Sequence, residues 1–216
     1  MSWKFHQKTG LSGQEFLAHI SKNPGADVYF VNPFPELCIY RSVWEHGQEF
    51  HPNLKKLTVK LFKECGYSDQ ILKKETPPNL TAYCNHWVAN KQFWDSYIEF
   101  LTPFWKYVRK DKGPLCLSLK KMADPIINAP YLPFIFERLF STFLAEHKFK
   151  VSSLPIPPSK ILDNPYLSPV SNRIIRVRDL NNHKLVLRTD RFAIGFFSII
   201  RKFRHYYLPL IIKKIR

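Results

Sequence analysis

A chain of 216 residues with 45% hydrophobic and 15% aromatic content has ample material for one packed domain, with or without a tail, and is not a disordered polymer. Its 33 Lys and Arg against 17 Asp and Glu give a formal charge of +16, which either forms a basic solvated surface or attracts a polyanion: nucleic acid, anionic lipid headgroups or a diphosphate. Cys38, Cys65, Cys84 and Cys116 lie far apart with no Cys-x-x-Cys pair, which argues against a zinc ribbon or redox motif and fits a reducing cytoplasm.

Ser12, with Glu15 three residues on, forms a capping box and predicts a helix whose buried stripe is Phe16, Leu17 and Ile20. Asn23-Pro24-Gly25 stops it, and Asp27 then leads a compact β run, Val28-Tyr29-Phe30-Val31, that ends at Asn32-Pro33. Residues 33–53 read as loop and short elements, because Gly47 and Pro52 disfavour a continuous helix. Glu45, His46, Glu49 and His51 place four potential ligands in seven residues there, readable as a metal site, an active-site loop or an ordinary surface loop. Asn53 is expected to cap a helix with Leu54, Leu57, Leu61 and Phe62 inward and Lys55, Lys56, Lys60 and Lys63 outward, ended by Gly66.

Residues 81–89 mix β-formers with small polar groups and predict a buried strand with polar side chains at one end. Asn90 can cap the helix that follows, in which Phe93, Trp94, Tyr97, Ile98, Leu101 and Trp105 recur at helical spacing. Pro103 falls inside that run and is expected to kink or split it. Tyr83, Cys84, Asn85 and His86 then sit beside a strand-to-helix turn. Leu115, Leu117 and Leu119 fit a short strand or a helix equally. Residues 132–144 predict a deeply packed helix in which Glu137 and Arg138 are the exceptions, readable as a structural ion pair or as functional groups. Residues 151–158 are Ser- and Pro-rich and read as a linker, residues 171–191 as a small hairpin, and residues 192–216 as a basic, aromatic tail.

Cys84-Asn85, Lys91, Phe93-Trp94-Asp95 and Tyr97 follow the pattern Cys-Asn-x-x-x-x-x-Lys-x-Phe-Trp-Asp-x-Tyr, and Glu137-Arg138-Leu139 opens a second block further on. In these two ordered blocks the chain resembles GT-A-type glycosyltransferases of bacterial capsule and O-antigen clusters, and the likeness covers roughly residues 1 to 150. The resemblance implies an α/β, GT-A-like three-layer domain over residues 1–150, incomplete at its N-terminal nucleotide-binding side. It also implies transfer of a sugar from a nucleotide-sugar donor to a surface-polysaccharide or lipid-linked acceptor. On this resemblance Asn32, Tyr83, Asn85 and His86 contact substrate. Lys91 and Arg138 offset the departing diphosphate and Glu137 is the candidate base, while Glu45, His46 and His51 are the residues of the active-site-loop alternative.

Such enzymes often hold the diphosphate through Mg²⁺ or Mn²⁺ bound at Asp-x-Asp. This chain has no Asp-x-Asp, which leaves Asp27 as the metal candidate. Residues 151–191 then form a linker and hairpin. Residues 192–216 form an amphipathic tail that either lies on the inner face of the cytoplasmic membrane or docks on the domain. Two rivals stand beside this reading. One is a non-catalytic remnant or partner subunit of the same fold. The other is a nucleic-acid-binding protein, disfavoured because its aromatics fall on helix faces expected to be buried and no recognition motif appears.

Overall fold

The computed structural model describes residues 4–110, 112–124, 128–157 and 160. In chain order its elements are α1 (Phe5–Thr9), α2 (Gly13–Lys22), β1 (Val28–Phe30), α3 (Val43–Phe50), α4 (Leu54–Glu64), β2 (Trp87–Ala89), α5 (Lys91–Lys110), α6 (Pro114–Leu119), β3 (Met122–Asp124), β4 (Ala129–Pro130), α7 (Tyr131–Glu146) and β5 (Val151–Ser153). The fold is mixed α/β. The predicted hairpin and tail at 171–191 and 192–216 lie outside the described residues.

The strongest local signals hold. The Ser12 hydroxyl accepts from the Glu15 N–H at 3.1 Å and the Glu15 carboxylate accepts from the Ser12 N–H at 2.7 Å, closing the capping box of α2. The Asn90 side-chain oxygen accepts from the Phe93 N–H at 2.9 Å and starts α5. Gly66, at φ 80°, turns the chain out of α4 in the left-handed region that glycine enters without penalty. Asn53 occupies the start of α4 differently from expectation: it adopts φ 76° and its side chain caps nothing.

The three-stranded sheet has the order β2-β1-β5, with β2 antiparallel and β5 parallel to β1. Alternation along β1 sends Val28 and Phe30 to one face and Tyr29 and Val31 to the other, and a core forms on each. Phe93, Tyr97, Phe100 and Phe104 of α5 and Phe140 and Phe143 of α7 pack on the first face. Phe5, Leu11, Phe16 and Ile156 pack on the second. Only Phe16 of the predicted α2 stripe is fully buried. Leu17, one position round the helix, is 62% exposed, because α2 meets the sheet along a narrower strip than its apolar residues cover.

Four expectations are corrected. The strand predicted over residues 81–89 is paired only at Trp87–Ala89, because Cys84 and Asn85 take φ 64° and 51° and bend the chain just upstream. Residues 151–158 are not a plain linker. Val151–Ser153 forms β5, and His19 Nε2 lies 2.8 Å from the Ser152 hydroxyl, so this stretch is an integral edge of the sheet. Glu45 and His46 lie on a helix, α3, which runs through Gly47 and ends just before His51. A Cβ at Gly47 would come within 2.5 Å of Arg138 Nε and 2.9 Å of Leu54 Cδ2, so the glycine permits close approach of α3 to α7. Pro103 leaves α5 undivided, since Phe100, Phe104 and Val108 on either side of it are all buried in one core, and that burial outweighs a proline cost of about 3 kcal/mol. The ambiguous leucines of 115–119 are helical, in α6.

Candidate functional site at the end of the sheet

Several of the polar residues singled out by the sequence lie where β1 ends and β2 begins. The Val31 N–H donates to the His86 carbonyl at 2.9 Å and joins the two chains there. Beyond it the left-handed pair Cys84-Asn85 makes a bend whose first side chain turns inward and whose second is exposed. Lys8, delivered by α1, donates to Cys84 Sγ at 3.0 Å and lies 5.9 Å from the Phe34 ring centroid. Asn32 is fixed by its own turn: its side-chain oxygen accepts from the Phe34 N–H at 3.0 Å and its amide lies 3.5 Å from Cys38 Sγ. Burial pushes the Cys84 thiol above its ordinary value, the Glu137 charge adds to the shift, and Lys8 opposes it. Glu137 is half-buried on α7 and acts electrostatically on both Cys84 and Tyr83.

Behind this surface lies a buried polar network. Arg138 is 2% exposed. Its Nε donates to the Val43 carbonyl at 2.9 Å, Nη1 to the Phe134 carbonyl at 2.8 Å, and Nη2 lies 3.1 Å from His46 Nδ1. The His46 ring in turn sits 4.9 Å from the Tyr83 ring and 5.2 Å from Tyr40. Burial carries the Tyr83 phenol well above its ordinary value, so it stays protonated. Ser141 donates to the Ala82 carbonyl and accepts from the Ala82 N–H, and Thr142 accepts from Trp44 Nε1 at 3.0 Å. Arg138, Ser141 and Thr142 therefore form one polar stripe down an apolar helix, clamping the 81–83 segment and α3. The spacing i, i+3, i+4 within residues 132–144 carried that signal. Nothing in the sequence pointed to Lys8, whose contact with Cys84 spans 76 residues.

Arg138 forms no ion pair with Glu137. Its donors meet carbonyls and an imidazole, and its burial removes it from any diphosphate, contrary to the expectation that it would offset leaving-group charge. Lys91 is also misplaced for that role. It is exposed, pairs with Asp95 at 2.6 Å, and sits past the far end of β2. Asp27 lies at that far end too. One carboxylate oxygen accepts from Asn90 Nδ2 and the other from the Lys150 N–H, each at 2.8 Å, so Asp27 clasps all three strands together. Among the described residues no three His, Cys, Asp or Glu side chains are grouped to hold a cation, and Asp27 has both oxygens engaged, so these residues do not fit the Mg²⁺ or Mn²⁺ site that the resemblance implies.

The predicted loop residues separate. Glu45 accepts from the Arg41 N–H at 2.8 Å and borders a polar cleft of about 370 Å³ shared with Tyr40, Lys55, Lys73 and Glu75. His51 is buried and stacks on Phe134 at 3.7 Å between ring centroids. His86 is 4% exposed, lies edge-on to Phe5 at 5.3 Å, and has no hydrogen bond at either ring nitrogen. Burial, reinforced by the charge of Lys8, lowers its pKa to about 4, so the ring is neutral. Searches against known proteins find no matching family model, no similar curated protein and no similar solved structure.

Proposed function

We propose that the chain is a GT-A-like glycosyltransferase that moves a sugar from a nucleotide-sugar donor to a polysaccharide or lipid-linked acceptor at the inner face of the cytoplasmic membrane. The observation that carries this reading is the contact of Lys8 with Cys84 beside the exposed Asn85 at one end of the sheet, with the Asn32 turn next to it through Phe34 and the half-buried Glu137 near enough to act on Cys84. Ligands in α/β folds are bound outside strand ends, where loops from several elements converge. Asn85, exposed on its left-handed bend, offers a donor and an acceptor to sugar hydroxyls. Lys8 supplies the positive charge that Lys91 and Arg138 are not placed to supply.

In an inverting transfer the acceptor oxygen attacks the anomeric carbon as Glu137 takes its proton. The bond from that carbon to the diphosphate breaks, and the diphosphate departs with the electron pair toward Lys8.

The test is turnover of UDP- and GDP-sugar panels by the full chain, read as released nucleoside diphosphate. Release abolished by E137Q and weakened by K8Q supports the reading. Absence of release with every donor, or release that survives E137Q, overturns it. The second reading, a non-catalytic relative of the fold, is favoured by one sequence observation, the absence of Asp-x-Asp. It predicts binding without release.

A further inference from the structure

Helix α5 is 20 residues long, and its two sides differ. One side carries Phe93, Tyr97, Phe100, Phe104 and Val108 into the core. The other presents Trp94, Ile98 and Trp105 at 41%, 55% and 54% exposure, with Leu101 half-buried between them. These four recur at i, i+4, i+7 and i+11, so they form a single apolar stripe along the helix. Scattered apolar residues on a surface are ordinary, but a continuous stripe with an indole at each end marks an interaction face.

Charge identifies the occupant. Lys91 lies on the line of the stripe at its start, and Lys106, Arg109 and Lys110 gather at its end, the Arg109 guanidinium lying 5.9 Å from the Trp105 ring centroid. Asp95 and Lys91 neutralise each other, and Glu99, Lys106 and Lys110 lie further round the helix on one side, so Arg109 is the cation bordering the stripe and the charge beside it is positive toward its C-terminal end. A parallel second copy would set the Lys106–Lys110 clusters against each other, and an antiparallel one would set each cluster against the Lys91–Asp95 pair, which carries no net charge to attract it. A nucleic acid would satisfy the cations and leave Ile98 and Leu101 without a partner. An anionic lipid surface satisfies both, with indoles and aliphatic groups in the acyl boundary and ammonium and guanidinium groups on phosphates. No helix among the described residues is long and apolar enough to cross a membrane, so such a helix lies in the interface plane.

We infer that the outer face of α5 is a membrane-seating surface for anionic phospholipid, with Trp94 and Trp105 as its anchors. The inference gives the proposed transferase its orientation toward a lipid-linked acceptor, and it rests on that reading only for this meaning; lipid binding itself is read without any sugar. The experiment is co-sedimentation of the full chain with vesicles of phosphatidylcholine alone and of equal parts phosphatidylcholine and phosphatidylglycerol, at low and high salt. A W94S/W105S variant is compared, with circular dichroism to show that it folds and gel filtration to report its size.

The expected result is pelleting with the anionic vesicles only, weakened by salt, and a fall of about tenfold or more in partitioning for the variant. Indole emission of the wild type shifts to the blue on anionic vesicles, and that shift is lost in W94S/W105S. Equal pelleting of both proteins overturns the inference and assigns any attachment to another segment. A wild-type dimer that the variant abolishes assigns the stripe to a second copy and also overturns it. Loss of sugar turnover with lipid binding intact defeats the transferase reading and leaves this surface standing.

Discussion

His86 and Glu137 carry the sharpest expectations at the scale of single residues. His86 is neutral in the fold, with a pKa lowered from 6.5 to about 4, because burial and Lys8 oppose its protonation. The unfolded chain binds a proton there between pH 6.5 and 4 and the folded chain does not, so stability rises with pH across that window. The full difference is roughly 3 kcal/mol, lost progressively as pH falls to about 4. H86F keeps a ring against Phe5 and removes the titration, so its urea midpoint should be flatter than wild type from pH 6.5 to 4; an unchanged slope would assign the pH dependence to other groups. Glu137 forms no pair with Arg138, so E137Q is expected to shift stability by less than about 0.5 kcal/mol while removing turnover. A melting temperature lowered by many degrees would show that its charge is structural. The sequence singles out Glu137 as a charge in an apolar helix and His86 as a polar group beside a turn. It misassigned Arg138, because a buried arginine satisfied by two carbonyls and an imidazole has the same local pattern as a functional one.

Among the elements, α3 and β5 show where sequence reading runs out. Gly47 and Pro52 disfavour a helix over residues 44–52, yet α3 forms, because its glycine sits against Arg138 and Leu54 rather than in solvent. Propensity is a weak local preference, and a tertiary contact overrides it. G47A tests that account directly. Alanine favours an isolated helix by about 1 kcal/mol, but its methyl would meet Arg138 Nε at 2.5 Å, so the net effect should be destabilising by roughly 1 to 3 kcal/mol in urea unfolding. A stabilised variant would show that α3 and α7 can separate at no cost. β5 was invisible for a different reason: three residues give no measurable alternation, and their strand character comes from pairing with β1 across more than a hundred residues. The caps at Ser12 and Asn90 and the apolar period of α5 and α7 were legible, since each is written within a few consecutive residues.

At the scale of the whole molecule, a small sheet with a core on each face fixes a polar cluster at one end and leaves the apolar stripe of α5 on the outside. The site was half legible. Asn32 and Asn85 lie near the end of β1 with Glu137 beside Cys84, whereas the side chains of Tyr83 and His86, 2% and 4% exposed, are buried there and do not face a ligand. Asp27 leads β1 and so lies at the opposite end from Asn32, and Lys91 joins it there because β2 runs antiparallel to β1. Strand direction is not readable from one sequence. Titration calorimetry of the full chain with UDP-glucose and GDP-mannose, with and without Mn²⁺, measures the central claim. The account predicts saturable binding of at least one donor, independent of Mn²⁺ and weakened about tenfold, or about 1.4 kcal/mol, by N85A and by K8Q. Heat from neither donor, binding that appears only with Mn²⁺, or binding indifferent to both substitutions would contradict it.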